Sequence, residues 1–132
     1  MRLLIFIILM LGLMNCTYAQ NKKFKPTKNM VELSALEGVA KLKVGQKAYY
    51  QATIHGSVGF MTSVSSASYR IFKLIDTHFA YKDARKARMS GGDKATKTFV
   101  FEALKTGNTV LTIKDIFRGK IKATYKINVI VE

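Results

Sequence analysis

Apolar and polar positions alternate along most of this chain. Ile121, Ala123, Tyr125, Ile127, Val129 and Val131 interleave with Lys120, Lys122, Thr124, Lys126 and Asn128. A period of two places one set on a core and the other in water, which predicts a strand. Phe99, Phe101 and Ala103 repeat the pattern, as do Leu111 and Ile113, and Ala48, Tyr50, Ala52 and Ile54 after a Val44-Gly45-Gln46 turn. Residues 61–64 and 71–79 also read as strands, joined by the serine-rich stretch 65–68. Residues 82–89 hold good helix formers, but their isolation between strand patterns favours a long loop. Six to eight short strands with no long amphipathic helix predict an all-β fold, an antiparallel β-sandwich.

Between these runs lie turns rich in glycine. Gly56-Ser57-Val58-Gly59-Phe60 follows one strand, and Ser90-Gly91-Gly92-Asp93 precedes the 98–103 run. A Lys-Thr-Gly-Asn turn covers 105–108, and Ile116-Phe117-Arg118-Gly119 leads into the last strand. A rigid scaffold that holds loops in place is a binding architecture, so these loops are the first candidates for function.

Composition narrows the field. Arg2, the apolar run 3–13 and the small residues around Ala19 have the proportions of a secretory signal peptide over 1–19. The run is shorter than the about 20 apolar residues of a membrane span, so no transmembrane segment is expected after signal removal. Cys16 offers lipid anchoring as the lesser alternative, because Asn15 fits poorly before a lipidated cysteine. Export to the medium or periplasm is therefore expected. Residues 20–29 carry four lysines and the only proline, a flexible basic lead-in to a domain over 30–132. That domain contains no cysteine, so packing alone must hold it and neither a thiol nucleophile nor a thiolate metal site is available.

The formal net charge is +14, from 22 lysines and arginines against 8 acids. The cations are spread through strands and loops instead of gathered on one helix or arm, and export also weighs against nucleic acid. Catalytic chemistry is thin. His55 and His78 lack metal-ligand spacing, no two acids are placed to work as an acid–base pair, and Ser65, Ser66 and Ser68 lack a nucleophile motif. Asp76, Asp83, Asp93 and Asp115 are expected to pair with lysines. No cofactor and no enzymatic activity are expected.

Taken in order, the loops resemble those of the chagasin-type inhibitors of papain-like cysteine proteases. Where the family's first loop reads Asn-Pro-Thr-Thr-Gly followed by Tyr or Phe, this chain has His55, Gly56, Ser57, Val58, Gly59 and Phe60. The second loop's glycine pair is matched by Met89-Ser90-Gly91-Gly92, with Asp93 following. The third loop's Arg-Pro-Trp is represented by Arg118 alone, between Phe117 and Gly119, and the chain has no tryptophan. The likeness covers 31–131 and implies an immunoglobulin-like β-sandwich, monomeric alone, whose three loops block the protease cleft. It implies that Gly59 lets the backbone turn tightly near the catalytic cysteine, with Phe60 supporting it from beneath. It further implies that Gly91 and Gly92 approach one side of the cleft and that Phe117 and Arg118 anchor the other. Two alternatives stay open. One is an exported binding module whose cationic face (Lys114, Lys120, Lys122, Lys126) takes an acidic protein or surface polymer; the other is an inhibitor of another protease class.

Overall fold

Each alternating run becomes a strand in the computed structural model, which describes residues 23–132. The expected signal peptide, Cys16 and the first residues of the expected lead-in lie outside the described residues. In chain order the strands are β1 (Val31–Glu32), β2 (Val39–Leu42), β3 (Lys47–His55), β4 (Phe60–Ser66), β5 (Phe72–Tyr81), β6 (Lys94–Ala103), β7 (Gly107–Phe117) and β8 (Lys120–Val131). One turn of 3-10 helix, Gly56–Val58, separates β3 from β4. Among the described residues no helix is long and apolar enough to cross a membrane.

The strands form a sandwich of immunoglobulin-like kind. One layer is β1, β3, β6 and β5; the other is β2, β8, β7 and β4. The layers share a hydrogen-bonded path only where β3 passes to β4, at the pair His55 and Phe60. The core fills the space between them. Ala48, Ala52, Phe99 and Phe101 come from the first layer, and Leu111, Ile113, Ile127, Val129 and Val131 from the second, all buried. Phe72 and Phe101 stack at its centre with ring centroids 4.9 Å apart.

Three features depart from the sequence expectation. The short strands β1 and β2 pair in parallel, with β3 and β8 respectively. They run alongside strands far ahead in the chain, and only a long connection allows parallel pairing. Second, the 98–103 run is the end of a longer strand that starts at Lys94, because pairing with both β3 and β5 holds its polar first half. Third, Ile121 leaves the core face. Asp115 pairs with Ala123 but Ile116 pairs with Ile121, so Lys122 is an extra residue bulged out of β8. The bulge ends the alternation that buries Ile127 and Val129, and Ile121 is 57% exposed. A similar irregularity at Ile75 interrupts β5.

Ahead of β1, Phe24 lies against the first layer's outer face, its ring 5.2 Å from Tyr49 and 5.0 Å from His78. At the end of the sandwich remote from the β3–β4 turn, Gly45 N–H donates to the Ala103 carbonyl, and Ala103 N–H donates to Gln46.

Because Phe101 is fully enclosed, Phe101→Ala is expected to cost about 3–5 kcal/mol in urea unfolding. Ile121→Ala should stay within about 0.5 kcal/mol of the parent, as exposed positions do. Equal costs at the two positions would contradict the burial described.

Candidate functional site

The first loop is shaped by its glycine. β3 ends at His55, the 3-10 turn follows, and Gly59 adopts φ 86° and ψ 22° before β4 begins. That left-handed conformation costs other residues roughly 1–2 kcal/mol. Its N–H donates to the Gly56 carbonyl at 2.9 Å, closing the turn. A Cβ on Gly59 would come within 3.1 Å of Arg118 Cγ, so the first and third loops touch.

The third loop is tighter than the sequence indicates. Ile116 and Phe117 are the last residues of β7, and only Arg118 and Gly119 form the turn to β8. Both have positive φ, 49° and 76°, the type I′ pattern that matches the twist of paired strands. Arg118 is the one non-glycine residue with positive φ among those described. Its N–H donates to the Gly59 carbonyl at 2.8 Å, and Phe60 pairs with Phe117. Two cations lie over the Phe117 ring, the Arg118 guanidinium at 5.1 Å and Lys122 Nζ at 5.8 Å.

The second loop, 82–93, forms no helix and runs as successive turns, as expected. Lys82 N–H donates to the Lys94 carbonyl at its base, and Gly92 N–H to the Met89 carbonyl near its end. A Cβ on Gly92 would sit 1.9 Å from the Lys86 carbonyl oxygen, so the loop closes only around a glycine.

Asp93 joins the second loop to the first. Its carboxylate accepts the Ser57 N–H at 2.7 Å and the Ser57 hydroxyl. His55 Nε2 stands 2.9 Å from the Gly91 carbonyl and 3.2 Å from Asp93 Oδ1. Both neighbours are acceptors, so Nε2 carries the proton. The bonds from the Ser57 side chain and backbone hold the Asp93 carboxyl below its ordinary pKa, with His55 adding a smaller pull. His55 and Ser57 thus share one carboxylate side by side instead of forming a nucleophile–base pair, and the cluster fastens loops without assembling a triad. Among the described residues no acids, histidines or cysteines group to hold a metal.

All thirteen residues singled out from the sequence therefore stand at one end of the sandwich. His55, Gly56, Ser57, Val58, Gly59 and Phe60 form the middle rim, with Ser90, Gly91, Gly92 and Asp93 bonded to one side of it. Phe117, Arg118 and Gly119 are bonded to the other. Phe60 is half-buried at the start of β4, while Val58 and Met89 are exposed. The acids do not pair with lysines as expected. Asp93 serves Ser57 and His55, Asp76 meets His78 at 3.1 Å, Asp83 meets Arg85 at 3.5 Å, and Asp115 accepts the Thr62 hydroxyl. Short hydroxyls, imidazoles and a nearby arginine reach these carboxylates within the folded strands and turns.

No protein-family model matches the sequence, and no curated protein matches it. Solved structures do match the fold. The crystal structure of the cysteine protease inhibitor EhICP2 from Entamoeba histolytica aligns with a TM-score of 0.62, over 78% of this chain and 96% of that one. The domain has that inhibitor's fold. Identity is 14%, so the likeness concerns backbone architecture and not loop chemistry. The solution structure of amebosin aligns with a TM-score of 0.55, over 80% of this chain and 100% of that one, also at 14% identity.

The latch has a defined pH dependence. A carboxyl whose pKa is lowered on folding contributes stability that is present above its unfolded value, 3.8, and is lost as pH falls through the lower folded value. Exchange of the Ser57 amide proton, measured by NMR, should be slow at pH 5 and remain protected at pH 4. Protection should vanish only under stronger acid, and Asp93→Ala should abolish it at every pH. Unprotected exchange in the parent at pH 5 would contradict the latch.

Proposed function

We propose that this protein is an exported inhibitor that closes the active-site cleft of papain-like cysteine proteases with the loop end of its sandwich. The observation that carries this reading is the joining of three loops into one rim by backbone bonds and a shared carboxylate. The fold in common with a cysteine protease inhibitor supports it.

The mechanism is occlusion by a body already shaped for its target. Loops fixed before binding lose little conformational entropy on docking, which preserves affinity that flexible loops would forfeit. In this reading the 3-10 turn enters the cleft centrally, over the catalytic cysteine. Gly56 and Gly59 keep the central rim narrow, while Val58 provides an apolar contact at its apex. Gly91 and Gly92 bring backbone close to one wall of the cleft. Phe117 and Arg118 take the other wall, as side chains of types that often dominate interfaces. The inhibitor works as a monomer, and nothing in the cluster of Ser57, His55 and Asp93 needs to react.

Titration against a panel of papain-like, other cysteine and serine proteases tests the proposal. Stoichiometric inhibition of a papain-like member is expected. Silence against those members, with inhibition of a serine protease or none at all, would reject it. Gly92→Ala should weaken inhibition at least about thirtyfold, the equivalent of the ~2 kcal/mol of a dominant contact.

Arg118 separates binding from stability. Asn-Gly suits a type I′ turn better than Arg-Gly, so Arg118→Asn relieves backbone strain while removing the cation over Phe117. The melting temperature should hold or rise while inhibition falls at least about tenfold, a loss of ~1.4 kcal/mol. Unchanged inhibition by this variant would remove Arg118 from the contact.

A further inference from the structure

Beside the third loop, the outer face of the second layer ends in an apolar row. Strand pairing puts Met61 opposite Ile116 and Ile116 opposite Ile121. Met61 is 51% and Ile121 57% exposed, and Ile116 is half-buried between them. The row exists because of the bulge at Lys122, which brings Ile121 level with Ile116 when plain alternation would turn it toward the core.

Cations lie beside the row, toward the tip and one position along β7. Lys114 stands next along the same face of β7, with Arg118 and Lys120 at the tip and Lys122 in the bulge. The wider loop end is positive as well. Residues 55–60, 82–94 and 116–122 hold eight lysines and arginines against two carboxylates, Asp83 and Asp93. Both carboxylates are engaged internally, Asp93 by Ser57 and His55 and Asp83 by Arg85. The charge that faces outward is therefore cationic, and Lys120 and Lys122 belong to this end and not to a sheet face shared with Lys126.

We propose that the protease contact continues from the Arg118–Gly119 tip onto the row of Met61, Ile116 and Ile121, and that the protease it fits has an acidic cleft rim beside an apolar ridge. The inference rests on the inhibitory reading above and names the chemistry of its target. Apolar side chains in a cationic border discriminate by what they exclude: a basic or neutral rim leaves the border without counter-charge. An acidic rim draws the loop end in from solution before contact forms, and such steering raises association rates by about 10–10³-fold and fades as salt increases. The row then slows dissociation, where short-range packing acts.

Association and dissociation rates of the purified protein, measured with papain-like proteases of acidic and of basic cleft rim, test this. Association with the acidic-rimmed enzyme is expected to be at least about tenfold faster at 20 mM than at 500 mM salt. The double variant Lys120→Glu, Lys122→Glu should slow it at least about tenfold at low salt. Met61→Ser with Ile121→Ser should speed dissociation at least about tenfold while leaving association and the circular dichroism spectrum unchanged. Inhibition that ignores salt, rim charge and both double variants, yet is still lost in Gly92→Ala, would overturn this inference and leave the inhibitory reading standing. Failure of the parent protein to inhibit any papain-like protease would overturn that reading, and this inference with it.

Discussion

Asp93 stands at the end of a twelve-residue loop that strand pairing reaches only at its base, and its carboxylate is what ties that loop to the turn between β3 and β4. Without it, only the His55 contact with the Gly91 carbonyl would hold the second loop's local turns against the first loop. The third loop needs no such tie, since Gly59 and Arg118 are joined by a backbone bond that continues the pairing of β4 with β7. One side of the rim is thus an extension of the sheet, and the other is held by side chains, the Asp93 carboxylate on Ser57 and the His55 imidazole on the Gly91 carbonyl. Ionisation matters because a carboxylate can accept from the Ser57 amide, the Ser57 hydroxyl and the imidazole together.

The sandwich beneath supplies the stiffness on which this arrangement relies. Core residues from both layers interdigitate, and the two aromatic rings of Phe72 and Phe101 fill the centre of a domain that has no cysteine to form a disulfide. Strand pairing joins the two layers at His55 and Phe60, directly under the first loop. Position of the loop is therefore set by both layers at once, which fixes it more firmly than a hairpin within one sheet.

The body of the fold was legible because burial imposes a period of two, and β3, β7 and most of β8 obey it. Legibility ended where something other than burial decides the geometry. Ile121 continues the apolar alternation of β8, yet the bulge at Lys122 turns it outward, and no local pattern marks a bulge made of lysine. Residues 94–97, polar but for Ala95, form strand because neighbours on both sides supply pairing, with Lys97 lying 5.1 Å over the Phe99 ring. At the site, glycine content identified the loops, since glycine takes the Gly59 conformation without strain and fits the space left at Gly92, while their common end followed from the family resemblance. The Asp93 link was not legible. It spans 36 residues to Ser57, and a carboxylate's partner across such a distance is a property of the assembled sheets.

At the far edge of the first layer, β5 has no second strand neighbour among the described residues. A long straight margin of that sort invites another chain to add itself, and the protein's own copies are the most abundant candidates. The kink at Ile75 divides that margin into 72–74 and 76–81, and the two pieces do not share a register. A docked strand could follow one piece or the other but not both, which shortens the run of consecutive bonds open to it. The same device that spoils a regular strand makes the open margin of a disulfide-free, cation-rich domain a poor template for another chain.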